Sequence, residues 1–228
     1  MSRTKKSRRH HRLLRGFIVG GIVFLVGLAA HYSGFLQPLE WKSWDLRLRW
    51  LAEPQQGDKD IVLILIDQYS LDVFEKHQGL GWPWPRQIYA ALINYLHQGG
   101  ARAVFLDFIF SEGSSYGVAD DQYLAKAMKA AGNVFLPLSL SSQEEFYQEV
   151  PPEVLSRLAF PPERLPSRRY PPAQGVSLPL PLFLTACQGA GNVFFRPDAD
   201  GIFRRLPPAF SFKEFLLPAL PLALAEAT

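Results

Sequence analysis

Between residues 16 and 36 the chain reads GFIVGGIVFLVGLAAHYSGFL, 21 positions without one Asp, Glu, Lys or Arg. At ~1.5 Å per helical residue this run covers roughly 30 Å, enough to cross the hydrocarbon core of a bilayer. PLEWKSWDLRLRWL (38–51) then sets Trp41, Trp44, Leu48 and Leu51 at helical spacing, with Lys42, Arg47 and Arg49 between them. That pattern predicts a juxtamembrane helix within residues 37–52, its stripe suited either to the headgroup layer or to packing on the folded body. The polar EPQQGDKD (53–60) leads into IVLILID (61–67), an apolar run of the kind found in strands buried on both faces. The period changes over 85–98, which predicts an amphipathic helix with Ile88, Leu92, Tyr95 and Leu96 on one side and Gly99-Gly100 as its stop. ARAVFLDFIF (101–110) follows as a second strand. Strand, helix and strand with a short exit make a βαβ unit with a right-handed crossover.

After the loop SEGSSYG, Asp120 or Asp121 is expected to cap a helix running through Ala131, with Leu124, Ala127, Met128 and Ala131 facing inward. GNVFLPLSL (132–140) reads as a third strand. Residues 141–180 differ in character: PPE occurs twice and RRYPPAQG follows, so a surface insertion without regular structure, in polyproline-like conformation, is expected. A helix is predicted over 181–189 and a strand at AGNVFF (190–195). RPDADG should turn the chain and IFRRLP (202–207) return it as a hairpin, with AFSF as a short third run. A short helix closes the chain within LLPALPLALAEAT. The fold class is therefore α/β. An N-terminal transmembrane helix precedes one three-layer-like domain over 53–228, with a central mixed sheet and a C-terminal hairpin.

Charge settles the orientation. The net +3 hides an uneven distribution: residues 1–15 hold seven of the 24 Lys and Arg and no acid, leaving 17 basic against 21 acidic residues elsewhere. By the positive-inside rule, residues 1–15 form a cytoplasmic tail, 16–36 span the membrane, and the body lies outside. A nucleic-acid-binding arm would account for the cations but not for the apolar run beside them, so no nucleic-acid partner is expected. A cleaved signal peptide is the alternative, given the small residues of GLAAH. No good A-x-A site appears, however, and the uncharged run continues to Leu36. The single cysteine, Cys187, excludes an internal disulfide and sits in the apolar PLFLTACQ as a buried small hydrophobe.

Most candidate chemistry fails on its own requirements. The five histidines include no H-x-x-x-H pair, and one cysteine cannot complete a zinc site. GLGWPW has Trp84 where a dinucleotide loop needs its last glycine. DADG (198–201) begins like a calcium loop but puts Ala209 at the twelfth position, and is better read as a turn with Gly201 at positive φ. No cofactor, metal or catalytic residue is assigned. One constellation remains: Asp67 and Asp107 end successive strands, the edge where α/β folds hold ligands, and Asp120 and Asp121 could join them. Such a set would suit a metal-assisted hydrolase, or else simply caps helices and binds loop amides. Beside it lies GWPWPR (81–86). Pro83 and Pro85 stiffen a strap carrying Trp82 and Trp84, and Arg86 stands at a helix start, where a cation needs a carboxylate partner. Asp67 or Asp107 is the expected partner. The indoles then serve as core plugs or as a ligand-facing wall.

The segments VLILIDQYSLDVF, GLGWPWPRQIYAALINYLHQGGARAVFLDFIFSE and DDQYLAKAMKAAGNVFLP, together with WDLRLRW and GAGNVFFRPDADGIFRRLPPAF, resemble the CHASE2 family of extracytoplasmic sensory domains. The resemblance covers residues 44–140 and 173–227, with the proline-rich stretch departing in detail. It implies a sensory domain outside the membrane behind one span, in bacterial receptors whose later spans lead to a nucleotide cyclase, histidine kinase or serine/threonine kinase. Thr228 then falls about where those spans would begin, so the chain is expected to be the input part of a receptor, without catalysis of its own. Receptors of this kind usually work as dimers. The resemblance identifies no ligand; the strap and strand-end reading gives Asp67, Trp82, Trp84, Arg86 and Asp107 as the candidate ligand-binding residues, and the expected partners are the bilayer, an unidentified external stimulus and a second copy. The alternative is an envelope scaffold that docks a partner through the proline-rich insertion.

Overall fold

The computed structural model describes residues 3–53, 57–141, 150–164 and 169–225, with side chains from Arg15 onward. The chain divides between Leu65 and Ile66 into two units.

The first unit carries two helices, α1 (Arg3–Tyr32) and α2 (Gln37–Leu51). Within α1 the window Arg15–Tyr32 has a mean hydropathy of 1.5 and no buried residue, so it is long and apolar enough to cross a membrane. The helix stops at Tyr32, short of the expected Leu36. Gly34 takes φ 74°, and the Phe35 N–H bonds back to the Ala30 carbonyl (3.1 Å). A left-handed residue ends a helix by satisfying its last carbonyls, and glycine adopts that conformation without a Cβ clash. Leu36 then precedes α2, which has proline in its first turn and no buried residue. Residues 61–65 do not form the expected buried strand. They pair with no strand among the described residues and are exposed, from 52% at Ile64 to 80% at Leu63. An apolar run supplies strand propensity, but a strand also needs an edge to pair with.

In the second unit, α3 (Gln68–Gln78) leads through the strap to α4 (Arg86–Gln98), then β1 (Val104–Phe105), α5 (Val118–Ala131) and β2 (Val134–Ser141). β2 is the centre of a mixed sheet. It pairs in parallel with β1 (Val104 to Val134) and with β5 (Gly189–Asn192; Leu136 to Ala190), and antiparallel with β4 (Gly175–Ser177). The carbonyls of Asn133 and Phe135 accept from β1, and that of Ser141 accepts from Gln174, so β1 and β4 follow one another along the same edge. Pro137 falls in the gap between them, where no N–H is needed. Leu136 and Leu138 are fully buried, each contributing about 2 kcal/mol of transfer free energy.

On α4 the buried face is Tyr89, Ala90 and Ile93, while Tyr95 is 75% exposed. The expected face is thus rotated by about one residue, because the small Ala90 permits close packing that a larger side chain would block. α5 buries Leu124, Ala127 and Met128 as expected, but Gly117, not Asp120 or Asp121, occupies its cap position.

The proline-rich stretch also departs from expectation. α6 (Pro152–Leu158) buries Leu155 and Leu158, and β3 (Pro172–Ala173) and β4 lie in sheets. Proline disrupts helix interiors but suits the first turn, where its missing N–H goes unused, and Pro152 stands there. Residues 142–149 and 165–168 of this stretch lie outside the described residues. α7 (Pro181–Ala186) is shorter than the expected helix. The C-terminal hairpin exists but shifted: β6 (Ala209–Phe212) pairs antiparallel with β7 (Phe215–Pro218), and β3 pairs with β6. Residues 202–207 are not a strand. The Lys213-Glu214 connection, with Lys213 at φ 53°, makes the tight turn instead. α8 (Leu220–Ala225) closes the described chain. Its start presses on β5: a Cβ on Gly191 would overlap the Leu220 backbone, coming within 2.7 Å of its nitrogen.

Candidate functional site

The strap and the N-termini of α4 and α5 converge on one cluster. Proline cannot donate and has no side-chain acceptor, so Pro85 at the cap position of α4 leaves the first amides of that helix without local partners. Asp120, in the first turn of α5, supplies them. Its carboxylate accepts from the Arg86 N–H (2.7 Å), the Gln87 N–H (3.0 Å) and the Ser114 hydroxyl (2.5 Å). Asp121, only 5% exposed, accepts from Arg86 Nε (3.3 Å) and from the Ser114 N–H (2.9 Å). Arg86 Nη2 donates to the Glu112 carbonyl (3.1 Å), and the guanidinium lies 4.2 Å from the Phe110 ring centroid. Two helix N-termini, a cation and two carboxylates thus neutralise one another at the exit of β1.

Arg86 therefore does have an acidic partner, but that partner is neither Asp67 nor Asp107. Asp67 caps α3 through bonds from the Ser70 N–H (2.9 Å) and hydroxyl (2.7 Å), which hold its carboxyl below the usual range. Asp107 is exposed. A carboxylate takes the nearest amide donors first, and Asp67 has them three residues away. Among the described residues no three His, Cys, Asp or Glu are placed to hold a metal ion.

The two strap tryptophans differ. Trp84 is 5% exposed and lies 4.1 Å from the Phe74 ring; Trp82 is 50% exposed. Trp82 leans edge-on against Trp84 (5.7 Å) and lies 6.1 Å from Phe108. Phe108 stacks on Phe110 (5.7 Å), and Tyr89 meets both rings edge-on. Burial pushes the Tyr89 hydroxyl up to about 12, so it stays a neutral phenol at any working pH. Trp82, Trp84 and Arg86 thus belong to one continuous aromatic and cationic surface, with Trp84 as its root and Trp82 as its open end. Sequence reasoning missed Phe108 and Phe110, whose alternation in FLDFIF marks one face, and the pairing of Asp120 and Asp121 with Arg86. The signal for that pairing was Arg86 at a helix start together with two adjacent carboxylates at another.

The sequence matches the CHASE2 domain over residues 21–228, and the chain belongs to that family of sensory domains, which occur in signalling receptors. No curated protein and no solved structure matches the chain.

Proposed function

We propose that the chain is the membrane-anchored, extracytoplasmic input region of a signal-transduction receptor with a cytoplasmic output of the cyclase or kinase type. The observation that carries this reading is the family match over 21–228, joined to a charge-free run, residues 16–36, that follows seven cations. Residues 1–15 stay inside, α1 crosses, and the α/β body receives a stimulus that it does not transform chemically. Trp82 is the face offered to the stimulus. Trp84 and Arg86 hold that face in place. A stimulus that prefers one arrangement of the strap shifts the population of states and so transmits a signal, with two copies acting together.

The test is topological and functional. Alkaline phosphatase fused after Phe110 is expected to be active outside the cell, and a cytoplasmic fluorescent reporter at the same site to stay dark. The opposite result rejects the reading. In the signalling receptor, Trp82→Ala is expected to abolish the response while leaving the thermal midpoint within a degree or two, since half of the ring already faces solvent. An unchanged response would remove Trp82 from the site.

A further inference from the structure

The helix that follows the candidate span has two apolar faces. At ~100° per residue, Trp41, Trp44, Leu48 and Leu51 fall within about 80° of one another on one side of α2. Leu39, Leu46 and Trp50 fall within about 40° of one another on the opposite side. Of the first stripe only Trp41 is half-buried; Trp44 (44%), Leu48 (49%) and Leu51 (79%) are as exposed as Leu39 (63%), Leu46 (48%) and Trp50 (79%), so charge separates the two faces, with the acidic Glu40 and Asp45 bordering the first. Lys42 and Arg49 share one meridian, seven residues apart, and flank the second stripe.

Chain continuity decides what meets the stripe. Only residues 33–36 separate the end of α1 from the start of α2, and they are folded into a tight turn by the Ser33 N–H to Ala29 carbonyl (2.9 Å) and Gln37 N–H to Gly34 carbonyl (3.0 Å) bonds. Even fully extended, four residues reach about 14 Å. α2 therefore begins where α1 leaves the hydrocarbon, whatever its direction. A helix held there meets headgroups first, and its residue types suit them: tryptophan prefers that layer, and lysine and arginine stems lie along apolar surface with their charges in water. From these observations we infer that α2 docks on the lipid surface through Leu39, Leu46 and Trp50, with Lys42 and Arg49 reaching anionic headgroups. This inference rests on the anchoring proposed above. It adds a second membrane contact, made by the helix that links the span to the sensory body, so that the lipid layer becomes part of the mechanical path.

The test uses the full chain reconstituted in bilayers of phosphatidylcholine with or without phosphatidylglycerol. A Cys187→Ala background carries one nitroxide at a time, introduced by Leu46→Cys, Trp50→Cys, Asp58→Cys or Phe24→Cys. Collision with oxygen relative to a water-soluble nickel chelate then reports depth. The ratio at 46 and 50 is expected to lie several-fold above that at 58, and to rise further with phosphatidylglycerol. Ratios at 46 and 50 equal to that at 58 would overturn the docking while a lipid-embedded 24 left the anchor intact. Spectra broadened at 46 or 50 by a second nitroxide would assign the stripe to another copy of the chain, which also overturns it. A water-exposed 24 would remove the anchor and the docking together.

Discussion

Arg86 and Arg204 each sit among aspartates, but they do different work. Arg204, whose side chain is 4% exposed, reaches Asp198 (3.1 Å) and Asp200 (2.8 Å), all within one turn closed by Gly201 at φ 82°. Arg86 is paired with a carboxylate 35 residues away, on a different helix. The two carboxylates that Arg204 meets here both come from its own turn. The Arg86 pair exists only once α4, α5 and the end of β1 have come together, so it reports assembly of the domain. Local ion pairs stabilise a shape; distant ones join elements.

Substitutions should separate the two. The largest effect is expected from Asp121→Ala, which leaves the Arg86 guanidinium without its carboxylate in a site where that side chain is 14% exposed. The loss should be about 2–4 kcal/mol, read as a lower urea midpoint for the full chain in detergent. Asp120→Ala should cost about 1–2 kcal/mol, because α4 loses the acceptor that stands in for a cap at Pro85. Arg204→Ala should move the global midpoint less than either. Faster amide exchange confined to 198–204 would show that its work is local, whereas exchange spreading to β6 and β7 would break the contrast.

The smallest effect concerns pH. The Arg204 guanidinium, followed by the Ile202 N–H, holds the Asp200 carboxyl below its usual range. Its contribution is therefore present above the unfolded carboxyl value of about 3.9 and is lost as pH falls through the lower folded value. The difference in thermal midpoint between the natural chain and Asp200→Asn should shrink on acidification below about pH 4. A constant difference down to pH 2 would show that Asp200 acts through shape alone.

The same division between near and far explains what could be read from the sequence. α1, α5, β2 and the 198–201 turn were legible because each is specified by its own neighbours: a charge-free run, a 3.6-residue period, an apolar run opened by Gly132, and Gly201. The partner of Arg86 was not, because nothing in residues 81–86 tells Asp67 from Asp121; the choice is made by how close two helix ends come. IVLILID shows the same limit, since it is at least as apolar as β2 while only β2 has strands on both edges. The proline-rich stretch misled in the other direction. Composition argued against regular structure, yet Pro152 stands where helices tolerate it, and Leu155 and Leu158 complete the core. The hairpin slipped because Gly201 marks a turn, whereas the strand-to-strand turn rests on Lys213, which nothing in the sequence singles out.

The meeting of Gly191 with Leu220 has a mechanical consequence. Backbone touches backbone there, with no rotamer between them to take up slack, so the joint has almost no compliance. A displacement of β5 is therefore passed to Leu220, the first residue of α8, by direct backbone contact.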